Sequence, residues 1–198
     1  MDNEITSIQN PRIKAAGLLR QGRGRQQQQR FLVDGEREIQ RAIEAGWPLE
    51  EVFVCDSLLD QPESRQLHDQ LAEIGIPLCK VTSQVMEKLS FGDRQEGLLA
   101  VARQRPLPGL DQLTCTPGML VAVVESVEKP GNLGAILRSA DAAGVDAVIL
   151  ANQRTDPFNP NAIRASTGIV FSMPLHAAPS EQVLAWLTEN SFRVCATR

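Results

Sequence analysis

The chain has 198 residues, 42% of them apolar and 22% charged, with a formal net charge of −4, which suits one large or two small globular domains at roughly 100–200 residues each. No apolar run approaches the roughly 20 residues of a membrane-spanning helix, and the start "MDNEITSIQNPRIK" lacks the apolar stretch of a secretory signal. Four scattered cysteines (Cys55, Cys79, Cys115, Cys195) form no C-x-x-C pair, which argues against a metal centre or a disulfide framework and for reduced thiols in a cytoplasm.

The net charge conceals an asymmetry. Residues 1–30 carry six bases (Arg12, Lys14, Arg20, Arg23, Arg25, Arg30) against Asp2 and Glu4, whereas residues 31–76 carry eleven acids and three bases. Phosphates are met by a local basic patch, so the N-terminal stretch is a candidate nucleic-acid surface within an acidic chain.

In chain order, "NPRIKAAGLLRQG" predicts a helix with Asn10 as N-cap and Pro11 at its first position. "QGRGRQQQQR" is polar and glycine-rich and predicts a mobile basic loop. "FLV" reads as a strand and "GEREIQRAIEAG" as a helix with Ile39, Ala42 and Ile43 on its buried face. The strand "EEVFVC", the helix "PESRQLHDQLAEIG" containing His68, the strand "IPLCKV", the short helix "SQVMEKLS" and the strand "GLLAVAR" follow. Strands separated by helices imply a layered α/β domain over 1–105. The Pro- and Gly-rich "RPLPGLDQLTCTPG" marks a linker, 106–117.

A second α/β unit, 118–198, begins with "MLVAVVES", an almost unbroken apolar run expected of a parallel strand covered on both faces. A helix over 133–143, the strand "DAVIL", the loop "ANQRTDPFNPN", the helix "AIRASTG", an extended "VFSMPL", His176 in a loop, the helix "SEQVLAWLTEN" and a last strand "FRVCAT" complete the reading.

"KPGNLGAILRSADAAG" carries the question of function. It lacks the Gly-Lys-Ser/Thr of a phosphate-binding loop and the G-x-G-x-x-G of a dinucleotide fold. Read structurally, Asn132 caps the helix, Gly134 lets it pack closely on the sheet, and Leu133, Ile136, Leu137, Ala140 and Ala143 form the buried stripe. Arg138 lies early in this helix, where the dipole disfavours a cation, so helix stability does not account for it. From the residues alone, an exposed surface arginine and a functional one fit equally well.

"VAVVESVEKPGNLGAILRSADAAGVDAVIL" closely resembles the first motif of the SpoU (TrmH) family of RNA ribose 2′-O-methyltransferases. "ITSIQNPRIKAAGLLR" and "RFLVDGEREIQRAIEAG" look like that family's N-terminal substrate-binding domain, and "RQEGLLAVA" like its closing strand. "NPNAIRASTGIVFSMPL" is similar to the segment after the second strand of the catalytic domain.

The resemblance implies a ribosomal-protein-like α/β RNA-binding domain followed by a parallel-sheet catalytic domain of the trefoil-knot (SPOUT) type. It also implies S-adenosylmethionine as cofactor, rRNA or tRNA as substrate, a homodimer and no metal. It points to Arg138 and Asn132 as catalytic, with Asn132 orienting Arg138 or the ribose; because an arginine is a poor base, the role expected of Arg138 is to hold the target phosphate and stabilise the forming alkoxide. Arg164, Ser166 and the N-terminal Arg20, Arg23, Arg25 and Arg30 would contact RNA. Gly168 is already explained as a glycine closing a helix, and Glu125 and Glu128 read as a solvated rim. The family's two later motifs, one Gly-rich with a glutamate and one of Ser-Leu-Asn type, do not occur in the 198 residues. The expectation is therefore a catalytic domain truncated before the knot, with the cofactor site beyond Arg198. The alternative is a non-catalytic RNA-binding protein that has lost that site.

Overall fold

The computed structural model describes residues 4–91 and 96–196. Helix α1 (Pro11–Leu18) starts where its signals place it, with Asn10 Oδ1 accepting the Arg12 N–H at 2.9 Å. The stretch expected to be a mobile loop is instead a helix, α2 (Gly22–Gln28). Gly24 is the reason. A Cβ there would lie 2.0 Å from the Leu18 carbonyl oxygen, so glycine alone lets α2 lie against the end of α1, and tertiary contact overrides a weak local propensity.

Strand β1 (Arg30–Asp34), α3 (Glu36–Glu44), β2 (Leu49–Val54), α4 (Pro62–Glu73), β3 (Leu78–Lys80), α5 (Ser83–Leu89) and β4 (Leu98–Arg103) follow. The sheet order is β1-β4-β2-β3, with β4 antiparallel to both neighbours and β2 parallel to β3. Alternate residues face two different cores. Leu32, Phe53, Leu99 and Val101 meet Ile13, Ala16 and Leu19 of the α1 segment and Val85, Met86 and Leu89 of α5. Phe31, Val33, Val52 and Ala100 face the other way, onto Ile39 and Ala42 of α3 and Leu67 and Leu71 of α4. Covering on both faces is why these strands read as unbroken apolar runs.

After a 3₁₀ turn at Leu110–Gln112 come β5 (Val121–Glu125), α6 (Pro130–Ala142), β6 (Ala147–Ala151), α7 (Pro160–Ala165), a 3₁₀ turn at Ile169–Phe171, β7 (Leu175–Ala178) and α8 (Ser180–Glu189). The strands are all parallel in the order β5-β6-β7, the α/β arrangement with a parallel sheet that the alternation implies. Four expectations need correction here. Val170 and Phe171 of the expected extended "VFSMPL" lie in the 3₁₀ turn, and the strand begins only at Leu175. The strand covered on both faces is β6, all five of whose residues are buried, whereas β5 lies at the sheet edge with Val123 42% exposed. His176 is not in a loop but in β7, buried, its Nδ1 2.9 Å from the Gly109 carbonyl oxygen. Residues 192–196 of the expected last strand run without a ladder partner, and Thr197 falls outside the described residues.

The linker does not divide the core. Phe31 and Trp47 from the first half pack on Phe158 and Phe171 from the second, with ring centroids 4.9 Å apart for Phe31–Phe158 and 5.6 Å for Trp47–Phe171. The Trp47 indole N–H donates to the Phe171 carbonyl at 3.1 Å, giving the one polar atom of this aromatic cluster a partner.

Candidate active site and nucleic-acid interface

Helix α6 begins three residues earlier than expected, with Lys129 as N-cap and Pro130 at the first helical position, where a missing N–H costs nothing. Asn132 is therefore not the cap but the third residue of the helix. Arg138 is its ninth of thirteen residues, so an unfavourable dipole cannot be argued for it. Leu133, Leu137 and Ala140 are buried as expected, and Ala143 is exposed. Both Asn132 and Arg138 are exposed, and among the described residues neither side chain has a hydrogen-bond or ion-pair partner. Six residues at 100° each set them about 120° apart around the helix, so the structure does not bring them into contact.

Gly134 faces helix α7 and not the sheet. A Cβ added there would lie 2.5 Å from the Ala165 Cβ, 2.7 Å from the Ala162 carbonyl oxygen and 2.7 Å from the Ser166 nitrogen. Two of those three atoms are backbone, so the helices would have to separate. Gly134→Ala should cost about 1–3 kcal/mol, read as a lower midpoint in thermal unfolding. A midpoint within a degree of the parent would show that α6 and α7 are not in close contact. Arg138 follows Gly134 by four residues and thus shares the stripe of α6 turned toward α7.

Of the arginines expected on RNA, the structure keeps some at the surface and withdraws others. Arg23 is exposed on α2 without a partner among the described residues. Arg20 is exposed, with its guanidinium 4.6 Å from the Phe91 ring centroid and one Nη donating to the Lys88 carbonyl at 2.8 Å. Arg30 is half-buried between Gln28 and Glu50. Arg25 is 2% exposed, so its expected phosphate contact is corrected: the guanidinium is enclosed between α1 and the loop after β6. Ser166 is corrected likewise. It is fully buried, and its hydroxyl donates to the Ile163 carbonyl at 2.9 Å at the end of α7. Arg164 is half-buried and turned inward, donating to the Phe91 carbonyl and lying 3.7 Å from Asp34. The left-handed residue that closes α7 is Thr167 (φ +51°) and not Gly168, which follows at φ +81°, donates its N–H to the Ile163 carbonyl at 3.0 Å and leaves room for Arg41 and Glu38 of α3.

Sequence reasoning missed Asp34. It lines a cavity of about 350 Å³ between the halves with Glu36, Glu38, Glu96, Arg164 and Thr167. Its carboxylate accepts the Phe91 N–H at 2.5 Å. Burial pushes its pKa up to about 6, against the lowering effects of that hydrogen bond and Arg164, and Glu96 and Glu38 push the same way as burial. Burial raises Glu38 as well. The only signal in the sequence was an aspartate ending an apolar strand.

A second cavity, about 640 Å³, runs along the open edge of β5 between Ile136 of α6 and Val183, Leu184 and Leu187 of α8. Its walls are mainly aliphatic, with Glu125, Ser180 and Cys195 among them. Glu125, its one charged group among the described residues, accepts the Ser180 hydroxyl at 2.8 Å.

Residues 10–100 match the MRM3-like substrate binding domain, and residues 119–198 match the SpoU rRNA Methylase family. A crystal structure of an RNA 2′-O ribose methyltransferase superposes with a TM-score of 0.84 at 43% identity, over 96% of this chain and 70% of that one. The SpoU methyltransferase AviRb of Streptomyces viridochromogenes, solved in complex with AdoMet, superposes with a TM-score of 0.76 at 26% identity, over 92% of this chain and 69% of its own. RlmP of Bacillus subtilis, a 23S rRNA guanosine 2′-O-methyltransferase, is 27% identical over 87% of this chain and 64% of its own length. The chain spans 54% to 64% of the length of three such curated relatives. An exposed arginine on a glycine-packed helix, the parallel sheet and these matches lead to one conclusion: the chain belongs to the SpoU family of RNA methyltransferases.

Proposed function

We propose that this chain supplies the RNA-binding and nucleophile-side half of an S-adenosylmethionine-dependent 2′-O-ribose methyltransferase acting on rRNA. Residues 1–105 serve as the substrate domain, 106–117 as the link and 118–198 as the first part of the catalytic domain. The observation that carries this reading is Arg138, exposed and without a partner among the described residues, on a helix held tightly to α7. The cofactor supplies the methyl group as a sulfonium electrophile; the chain's own residues act on the nucleophile. A ribose hydroxyl is barely ionised at neutral pH. A guanidinium keeps its proton too tightly to be a useful base but is a strong, planar donor to a phosphate and a developing alkoxide. Arg20 and Arg23 hold the RNA backbone on the α1–α2 face.

The described residues fit the cofactor poorly. The groove beside β5 is mainly aliphatic, and its polar side chains among the described residues are Glu125, already bonded to Ser180, and Cys195, whereas a nucleoside has several edges that need polar partners. We place the rest of that site in the part of the relatives' length that this chain does not span, with further strands covering the open edge of β5. Calorimetric titration should give no stoichiometric micromolar binding of S-adenosylmethionine to the 198-residue chain, and such binding would refute this division. Transfer of a labelled methyl group to a 23S rRNA transcript by the protein carrying the whole family domain tests the activity. RNA binding without transfer in that protein would favour the non-catalytic alternative.

A further inference from the structure

Arg25 stands apart from every other arginine of the basic stretch. Its side chain is 2% exposed, and each of its hydrogen bonds joins separate elements. One Nη donates to the carbonyls of Leu19 at 3.0 Å and Arg20 at 3.2 Å, at the end of α1, while Nε donates to Asp156 Oδ2 at 2.6 Å, 131 residues away. The other carboxylate oxygen, Oδ1, accepts the Phe158 N–H at 2.8 Å, just ahead of α7. Helix α7 in turn abuts α6 at Gly134.

A short, unbroken path therefore leads from the exposed Arg20 and Arg23 through Arg25 and Asp156 to the helix that carries Arg138. The aromatic cluster between the halves supplies attraction, but apolar packing is not directional and tolerates slip. A planar guanidinium locked to one carboxylate and two carbonyls is directional, and separating it from Asp156 would leave a buried charge unpaired.

We propose that Arg25 is a positioning residue: it fixes the angle between the α1–α2 face and α6, and so determines which part of a bound RNA reaches Arg138. The fixed angle stands on the geometry alone; the role of RNA rests on the function proposed above.

Arg25→Met with Asp156→Asn tests it. Removing both charges spares the fold an unpaired ion, and asparagine retains an acceptor for the Phe158 N–H. In a Cys115→Ser, Cys195→Ser background, spin labels at Gln27→Cys on α2 and Ser139→Cys on α6 report the spread of distances between the halves. A photocrosslinker at Ala135→Cys, beside Arg138, reports which nucleotides of a 23S rRNA transcript come near. The double variant should bind RNA within about threefold of the parent, at least double the width of the distance distribution, and scatter crosslinks that are confined to a few nucleotides in the parent.

A merely structural role would change neither readout in a variant that remains folded. An unchanged distance distribution overturns the proposal, and so does a broadened one with an unchanged crosslink pattern. If the double variant fails to fold, Asp156→Asn alone decides by the same two readouts, with an intermediate broadening expected. If the parent does not bind the transcript, the RNA reading fails and the distances alone decide whether Arg25 fixes the angle.

Discussion

Arg138→Ala, in the protein carrying the whole family domain, should lower methyl transfer to rRNA by about 10²–10³-fold while leaving the thermal midpoint within about a degree. The loss is what removing one donor from a developing oxyanion usually costs. The unchanged midpoint follows because the side chain is exposed and has no partner among the described residues, and surface substitutions of that kind shift stability by no more than about 0.5 kcal/mol. Arg138→Lys separates charge from geometry, since an ammonium keeps the charge but cannot form a planar two-pronged contact. An intermediate rate would mean that both matter, whereas a rate near the parent's would remove the bidentate role. Asn132→Ala adds a cleaner test than the sequence alone suggested. Asn132 is not the N-cap of α6, so the substitution should leave stability nearly untouched, and any loss of rate reports on catalysis.

How far the sequence revealed this arrangement depended on the kind of interaction. Element types came through wherever the apolar period was strong, as in α3, β4 and β6. The two glycines that mattered most were visible as glycines but not by partner. Gly134 was expected to face the sheet and faces α7, and Gly24 was taken as a loop former and lets α2 pack on α1. Both depend on an approach that exists only after folding. The start of α6 was legible, since Pro130 carries the usual first-position preference, and the pull of Asn132 as a capping residue led to a start three residues too late. Arg25 and Arg23 are indistinguishable in the string "RGR", yet one is sealed between the halves and the other faces water. Nothing local foretells that, because the decisive partner, Asp156, lies 131 residues on. The last strand failed for a different reason: "FRVCAT" has strand-like composition, but a strand requires a ladder partner, and residues 192–196 have none.

Asp34 gives the second large effect, and its sign is opposite to that of an ordinary ion pair. Its folded pKa, about 6, lies above the unfolded value near 3.8, so between those limits the folded state binds more protons. Stability should therefore fall as pH rises from about 4 to 6 and level off above it. Ionised Asp34 at neutral pH thus costs about 3 kcal/mol relative to its protonated form. The Arg164 guanidinium at 3.7 Å and the Phe91 N–H do not fully offset the burial, with Glu96 and Glu38 adding to the cost. Asp34→Asn keeps an acceptor for that N–H without the charge. It should raise the melting temperature by about 5–10 °C at pH 7.5 and by almost nothing at pH 4. Some slope between pH 4 and 6 will persist in the variant, since burial raises Glu38 in the same direction. A variant less stable than the parent at pH 7.5 would mean that the pairing with Arg164 outweighs burial, and that the charge at this junction is what keeps the two halves docked.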